Sequence, residues 1–453
     1  MVASHLTQVI LPKKIGVMSS CTQNPGVLFQ LQLLCFVGAL FMDGFGNTLF
    51  GVTLPINVST MLVILALFIQ LVAGTFRIPV FLLVIYSYVV FQTFILNYSE
   101  PLLFKSLVHF MGLIIFSISI FSFVSAYRYR ILYIINVYYK FCFIVACIAI
   151  IQSVVFIVFN KTISLQNMLG GPLRPEMSTE IFGIFPRSPG TASEPATFSI
   201  ILIPGIFMSL LVLTGRGKVL FLKNKIVAGI ILTAFILSFS LIGFIGLAVS
   251  LVVIAISASR RGRFIALLMA FCLIIGGIAA LSNTIIVSKF TGLVTMTKNP
   301  KDYTYTTNDL SGFALISNAL VAKEGILRSN YLGTGLNTHE SSYDYSISSL
   351  FDQSQIIFEL NKKDAGSLFI RIASEFGVPG LIFLLLFLLR NKIISTVKDP
   401  RLRLINDMCF VVIISSSARN GSYFSIVFLL FSAIYLYSYL LAKRSCLVLN
   451  RQS

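Results

Sequence analysis

Apolar runs of roughly 17 to 25 residues, the length that crosses a bilayer as a helix, recur along nearly the whole chain. Polar residues inside them do not fall at every second position, so the short period-two segments of a transmembrane barrel do not fit. The runs predict twelve helices, over residues 27–46, 57–75, 79–97, 102–126, 131–159, 196–214, 226–240, 241–259, 264–284, 366–389, 404–418 and 424–442. Between 226–240 and 241–259 only LSFSLIG intervenes, which predicts a tight hairpin in preference to one long helix.

Two connections break the rhythm of short linkers: residues 160–195 and 285–365. Connections this long usually carry a function. The second is expected to hold one helix in DLSGFALISNALVAKEGILRS, opened by Asp309 or Ser311 and closed near Asn330, with Leu310, Phe313, Leu320 and Leu327 close to one stripe. A helix lying on the membrane face is the plain reading of it. Beyond it come a turn in YLGTGLN, a Ser- and Tyr-rich stretch SSYDYSISS, and the charged NKKD.

Composition agrees with the pattern: 57% of the 453 residues are hydrophobic and 11% charged. This is the profile of an all-α integral membrane protein with about twelve transmembrane helices. Charge supplies the orientation, because Lys and Arg gather in cytoplasmic loops. RYR near residue 128, RGKVLFLKNK from Arg216, RRGR from Arg260, RNK with KDPRLR from Arg390, and KR at 443 all fall on one side of the predicted spans. Both termini are therefore expected in the cytoplasm: 1–26 and 443–453 as cytoplasmic ends, five spans in 27–159, four in 196–284, three in 366–442, and exported loops at 160–195 and 285–365. The net charge of +18 is then a topology signal spread over short loops, and no nucleic-acid partner is needed to explain it. The polar first 26 residues, with Lys13 and Lys14 and no small-residue cleavage pattern after the first run, read as an uncleaved anchor. All seven cysteines fall in spans or on the cytoplasmic side, so no exported disulfide is expected, and CxxC or His-rich metal spacings are missing. Tryptophan is absent, leaving tyrosines such as Tyr127, Tyr129 and Tyr133 for the interface.

Candidate chemistry lies at the exported ends. In FPRSPGTASEPATFSIILIPGIF, residues 185–207, Pro195 suits the first turn of the sixth span with Ser193 or Glu194 as cap. The unpaired N–H groups of that turn, beside the Arg187 guanidinium, make a seat for a phosphate or diphosphate. The simpler alternative is that Glu194 caps the helix and pairs with Arg187. Arg371 sits inside the apolar run from Gly366, and Arg419 in SSSARNGSYFSIVF between the last two spans. Intramembrane arginines face a cavity or a partner, so with Arg187 they suggest an anionic ligand; the plain alternative for Arg371 is an ion pair with Glu375, four residues on. Lys105 and His109, four apart near the exported end of the fourth span, either join them or read as a snorkelling lysine and a buried histidine.

The order R-S-P-G-x3-E-P before a span, then YLGTGLN, then LFIRIASEFGVPGLIFLLLF, then ARNGSYFSIVF, over residues 185–200 and 330–425, resembles the Wzy-type polymerases of O-antigen and capsular repeat units. Their superfamily also holds O-antigen ligases and some protein O-glycosyltransferases. The resemblance implies a GT-C-like polytopic bundle in the bacterial inner membrane. Its implied activity is glycosyl transfer at the outer face, from one undecaprenyl-diphosphate-linked oligosaccharide to a sugar hydroxyl of another. It further implies an enzyme with no metal and no cofactor, among membrane lipids, working beside a flippase and a chain-length regulator. Glu194 is then the expected base, or the residue that orients Arg187. Arg187 and Arg419 are expected to stabilise the departing diphosphate, and Arg371, Tyr423, Lys105, His109 and His339 to contact substrate. Ligase-like members carry His-Asn where this chain has Gly366-Ser367, which points away from the ligases. A ligase-like transferase and a lipid-linked oligosaccharide flippase or transporter remain the alternatives. The long 285–365 loop and the lack of an internal repeat sit poorly with a transporter.

Overall fold

The structure, a computed structural model, describes residues 26–42, 56–96, 100–161, 185–220, 222–257, 310–351, 359–394 and 399–449, with isolated positions between them. Apart from two ladders of two residues each, Thr48–Leu49 with Val52–Thr53 and Glu180–Ile181 with Phe185–Pro186, the described chain is helical. In order the helices are α1 (Val27–Phe41), α2 (Val58–Val72), α3 (Val80–Val90), α4 (Glu100–Ala126), α5 (Ile131–Phe159), α6 (Pro195–Leu213) and α7 (Lys225–Ser238). They continue with α8 (Leu241–Ser257), α9 (Leu310–Arg328), α10 (His339–Leu350), α11 (Leu368–Arg390), α12 (Pro400–Arg419) and α13 (Ile426–Leu449).

Five helical stretches are long and apolar enough to cross a membrane: Leu103–Ala126, Arg128–Phe159, Pro195–Leu213, Leu368–Arg390 and Ile426–Ser445. Five shorter apolar helices, Val27–Phe41, Val58–Val72, Val80–Ile95, Lys225–Ser238 and Ile242–Ile256, stand where further spans were expected. The expected 264–284 span lies outside the described residues. The 404–418 segment is helical as part of α12, which carries Arg401, Arg403, Asp407 and Arg419. The LSFSLIG stretch does interrupt the helix: Phe239 takes a left-handed φ of 42°, and α7 and α8 each pack on α6.

The bundle is built around α6, whose residues from Phe198 to Val212 are all buried, as expected of a helix apolar on every side. It is flanked by α5, α7, α8 and α12. Pro204 removes one amide from its interior, and nearby the Tyr138 hydroxyl donates to the Ile201 carbonyl (2.9 Å). On the other side α13 packs against α12 and α4, and α2 against α1 and α4. The loop helix is present as α9, but it does not stand alone. It packs on α11 and on α10, and Phe313, Val321, Tyr343, Ile347 and Phe351 form a second small core. Helix α10 arises in the Ser- and Tyr-rich stretch, where no helix was expected.

Candidate functional site

The two short glycine motifs of the sequence turn out to be one structure. At Gly377, in EFG, the backbone of α11 leaves the helix (φ 60°, ψ −154°), a conformation open to glycine. The break frees carbonyls inside a helix long and apolar enough to cross a membrane, and each needs another donor. The YLGTGLN turn supplies them: Thr334 N–H donates to the Ser374 carbonyl (3.1 Å) and Gly335 N–H to the Glu375 carbonyl (2.8 Å), while Val378 N–H returns to the Tyr331 carbonyl (3.0 Å). Gly333 approaches so closely that a side-chain carbon there would collide with the backbone of Glu375 and Gly377. The turn is also held from the side. Gln92, in the π-helical turn Phe91–Leu96 that ends α3, donates to the Leu332 and Glu375 carbonyls (3.2 and 2.8 Å). Leu336 N–H donates to Thr93 Oγ1 (3.0 Å), and Ser106 Oγ to the Leu336 carbonyl (2.8 Å).

This clamp seats Arg371, one turn earlier on α11 and only 3% exposed. Its Nε donates to Glu375 Oε1 (2.9 Å) and its Nη1 to the Gly421 carbonyl (3.0 Å). Nη2 reaches both Asn337 Oδ1 and His109 Nε2, each at 3.2 Å. The guanidinium carbon lies 4.6 Å from the centre of the Tyr423 ring, and the Tyr423 hydroxyl donates to Glu375 Oε2 (2.9 Å). Burial, and then the Glu375 charge, hold the Tyr423 phenol well above its ordinary range, so it stays a donor. Arg371 and Glu375 are thus a buried pair with a hydrogen bond at every guanidinium nitrogen and both carboxylate oxygens, the arrangement in which removing one partner strands the other's charge. Arg371 is the keystone joining α4, α11, the YLGTGLN turn and the α12–α13 connection.

Beside this network opens a cavity of about 560 Å³. Its wall takes Glu194 and Thr197 from the start of α6, His109 from α4, Asp364 from the turn before α11, and Arg419 and Phe424 from around the α12–α13 connection. Ser188, Pro189 and Gly190, behind Glu194, are buried and positioned by α5: Gln152 Nε2 donates to the Gly190 carbonyl (2.9 Å) while Gly190 N–H donates to Gln152 Oε1 (3.0 Å). Ser188 and Ser153 hydroxyls meet at 2.5 Å. Gly190 has φ 59°, and its Cα packs against the Phe198 ring. Helix α6 begins with Pro195 at its first position, as the sequence predicts, and Glu194 occupies the cap position. The Glu194 side chain makes no capping hydrogen bond, however; the residue lines the cavity, and its charge acts on Arg187.

The expected site residues therefore divide. Glu194, Arg419 and His109 share the cavity wall. Arg187 is half-buried and not part of that wall; burial draws its guanidinium below the ordinary range, the Glu194 charge opposes this, and its Nε is buried without a hydrogen-bond partner. Arg371 and Tyr423 are absorbed in the buried network, so a direct hold on substrate has no geometric support for either. Lys105 forms an ion pair with Glu340 of α10, whose carboxyl that hydrogen bond holds below its ordinary range. His339 is not an open loop residue. It is fully buried at the start of α10, 2.8 Å from Asn318 Oδ1. Asn337, Gly421, Gln92 and Ser106 were not anticipated. Gln92 had a signal, an amide inside an apolar run; Gly421 had only its place after Arg419-Asn420. Compared with protein-family models, with curated proteins and with solved structures, the chain matches none of them.

Proposed function

We propose that the chain is a Wzy-type polymerase, joining polyprenyl-diphosphate-linked oligosaccharide repeat units by metal-independent, inverting glycosyl transfer at the periplasmic face of a bacterial inner membrane. What carries the proposal is the meeting, in one cavity, of a carboxylate, a guanidinium and the first turn of a helix: Glu194, Arg419 and α6. In this reading the acceptor sugar hydroxyl attacks the donor's anomeric carbon and passes its proton to Glu194. The carbon–oxygen bond to the diphosphate breaks, and the diphosphate leaves with the electron pair. Arg419 and the open N–H groups of α6 face that growing charge, where positioned donors lower the barrier most. Arg187 acts through Glu194, holding its charge and orientation, and the glycan leaves through the cavity mouth. The alternative of a ligase gains nothing here, since the cavity-lining position where ligase-like members carry a histidine is Gly366 in this chain.

The test is a purified protein incubated in detergent with lipid-linked repeat units, where transport cannot be scored. Longer glycans are expected on a gel. Glu194→Gln and Arg419→Ala should each slow chain growth by about 100-fold or more, the usual worth of a general base or an oxyanion donor. Unchanged substrate in the wild-type lane, beside an active control, overturns the proposal.

A further inference from the structure

The contact between Arg371 and His109 fixes more than position. A guanidinium has five donors, no acceptor, and no accessible neutral form. At 3.2 Å from Arg371 Nη2, His109 Nε2 must offer its lone pair. A protonated Nε2 would set two donors, or two cations, against each other. The ring is then neutral with its single proton on Nδ1, and because His109 lines the cavity beside Phe424 (ring centroids 4.8 Å), Nδ1 is the nitrogen left to meet the cavity's contents. Such a histidine cannot accept a proton through either nitrogen: one lone pair is held by Arg371 and the other nitrogen already carries its hydrogen.

We infer that His109 is a fixed hydrogen-bond donor to the anionic oxygens of the ligand in this cavity, and that Arg371 is the positioning residue that fixes its tautomer without touching the ligand. The ligand class, a diphosphate, rests on the function proposed above; the tautomer lock does not. Together with Arg419 and the first turn of α6, His109 adds a fixed donor to a wall that also carries the carboxylates Glu194 and Asp364. Arg371, already held by Glu375, Gly421 and Asn337, is a permanent donor, and such a neighbour holds an imidazole in the Nδ1–H form.

His339 supplies an internal contrast. Asn318 Nδ2 donates to the Ala314 and Leu360 carbonyls (2.5 and 3.0 Å), so its Oδ1 faces His339, and His339 Nε2 must be the donor. The two histidines are predicted in opposite tautomers, which nitrogen-15 spectra of histidine-labelled protein in lipid nanodiscs distinguish, with His109→Asn assigning the signals. A bare Nε2 and a protonated Nδ1 on His109 are expected; a protonated Nε2 overturns the lock. The second arm measures binding of farnesyl diphosphate, with inorganic pyrophosphate in parallel. His109→Asn, whose amide reaches the place of Nδ1, should bind within about threefold of wild type. His109→Gln, whose amide replaces Nε2, should bind about tenfold more weakly, the worth of one hydrogen bond to a charged group. Wild-type affinity in His109→Gln overturns the donor role. Pyrophosphate binding as tightly as farnesyl diphosphate places the recognition in the headgroup, and preference for the farnesyl form adds the lipid chain; the donor role stands in both. Failure of wild type to bind either diphosphate removes the diphosphate reading, and the ring spectrum still decides the lock.

Discussion

His339 shows what a single burial does to a titrating group. With no exposure and a hydrogen bond to Asn318, its imidazole is pushed down from 6.5 to about 3, first by burial and then by the charge of Arg371. The folded protein therefore keeps it neutral where the unfolded chain protonates it. Its contribution to stability is complete above pH 6.5 and is lost as pH falls from there toward 3. The limiting slope for one proton is about 1.4 kcal/mol per pH unit. Glu340 titrates lower, having been drawn down from 4.5 by Lys105, so the window from 6.5 to 4.5 separates the two. His339→Gln keeps an N–H for Asn318 and removes the titration. The thermal midpoint of wild type in detergent should fall more steeply than that of His339→Gln between pH 6.5 and 4.5; parallel curves would mean the imidazole is not held neutral. None of this was legible in the sequence, where His339 stands in a polar stretch and looks like an open loop residue.

At the level of elements, the sequence predicted well wherever one segment alone decided the outcome. Apolar runs placed both ends of α4, α5, α6 and α11 within about two residues and the start of α13, which runs on to Leu449 past the expected 442, and Pro195 marked the first residue of α6. It failed where a partner far along the chain decided. HESSYDYSISSL carries little apolar surface, yet it forms α10 because Tyr343 and Ile347, four apart, fill the core made with α9. Likewise GVPG announces a weak point in α11, but nothing local says that Thr334 and Gly335 bridge it. That bridge yields a prediction. Gly377→Ala places a side chain at φ 60°, ψ −154° against the Tyr331 carbonyl, and should cost at least about 2–3 kcal/mol. Gly229→Ala in α7, where an added carbon meets nothing within 4 Å, should leave stability unchanged or slightly raised. Thermal unfolding in detergent compares them, with limited proteolysis at 331–337 reporting release of the turn in Gly377→Ala. Equal melting of the two variants would show that the bridge does not hold the helix together.

Across the whole molecule, two polar centres are set at opposite ends of one helix. Arg371 and Glu375 lie near the start of α11, whereas Lys392 follows its end and pairs with Asp407 at 2.6 Å. Asn406 closes that second centre by donating to the Asn391 carbonyl (3.0 Å) and Ser438 Oγ (3.1 Å), and Arg216 and Arg403 bring further positive charge to Asp407. Between the two centres α11 runs 23 residues with its break at Gly377, and the unbroken part from Val378 to Arg390 spans about 20 Å. One centre borders the cavity through His109, with α9 and α10 packed on the same helix; the other gathers the arginines and lysines that favour the cytoplasm. The Arg216–Lys392 end should therefore face inward and α10 outward. Lys218 and Ser348 are both exposed, one at each end, and Cys35, Cys142 and Cys409 are buried. In intact cells a membrane-impermeant maleimide should label Ser348→Cys at once and Lys218→Cys only after permeabilisation. The reverse pattern would place the cavity on the cytoplasmic side, and with it remove the exported glycan chemistry proposed for Glu194 and Arg419, whatever their geometry.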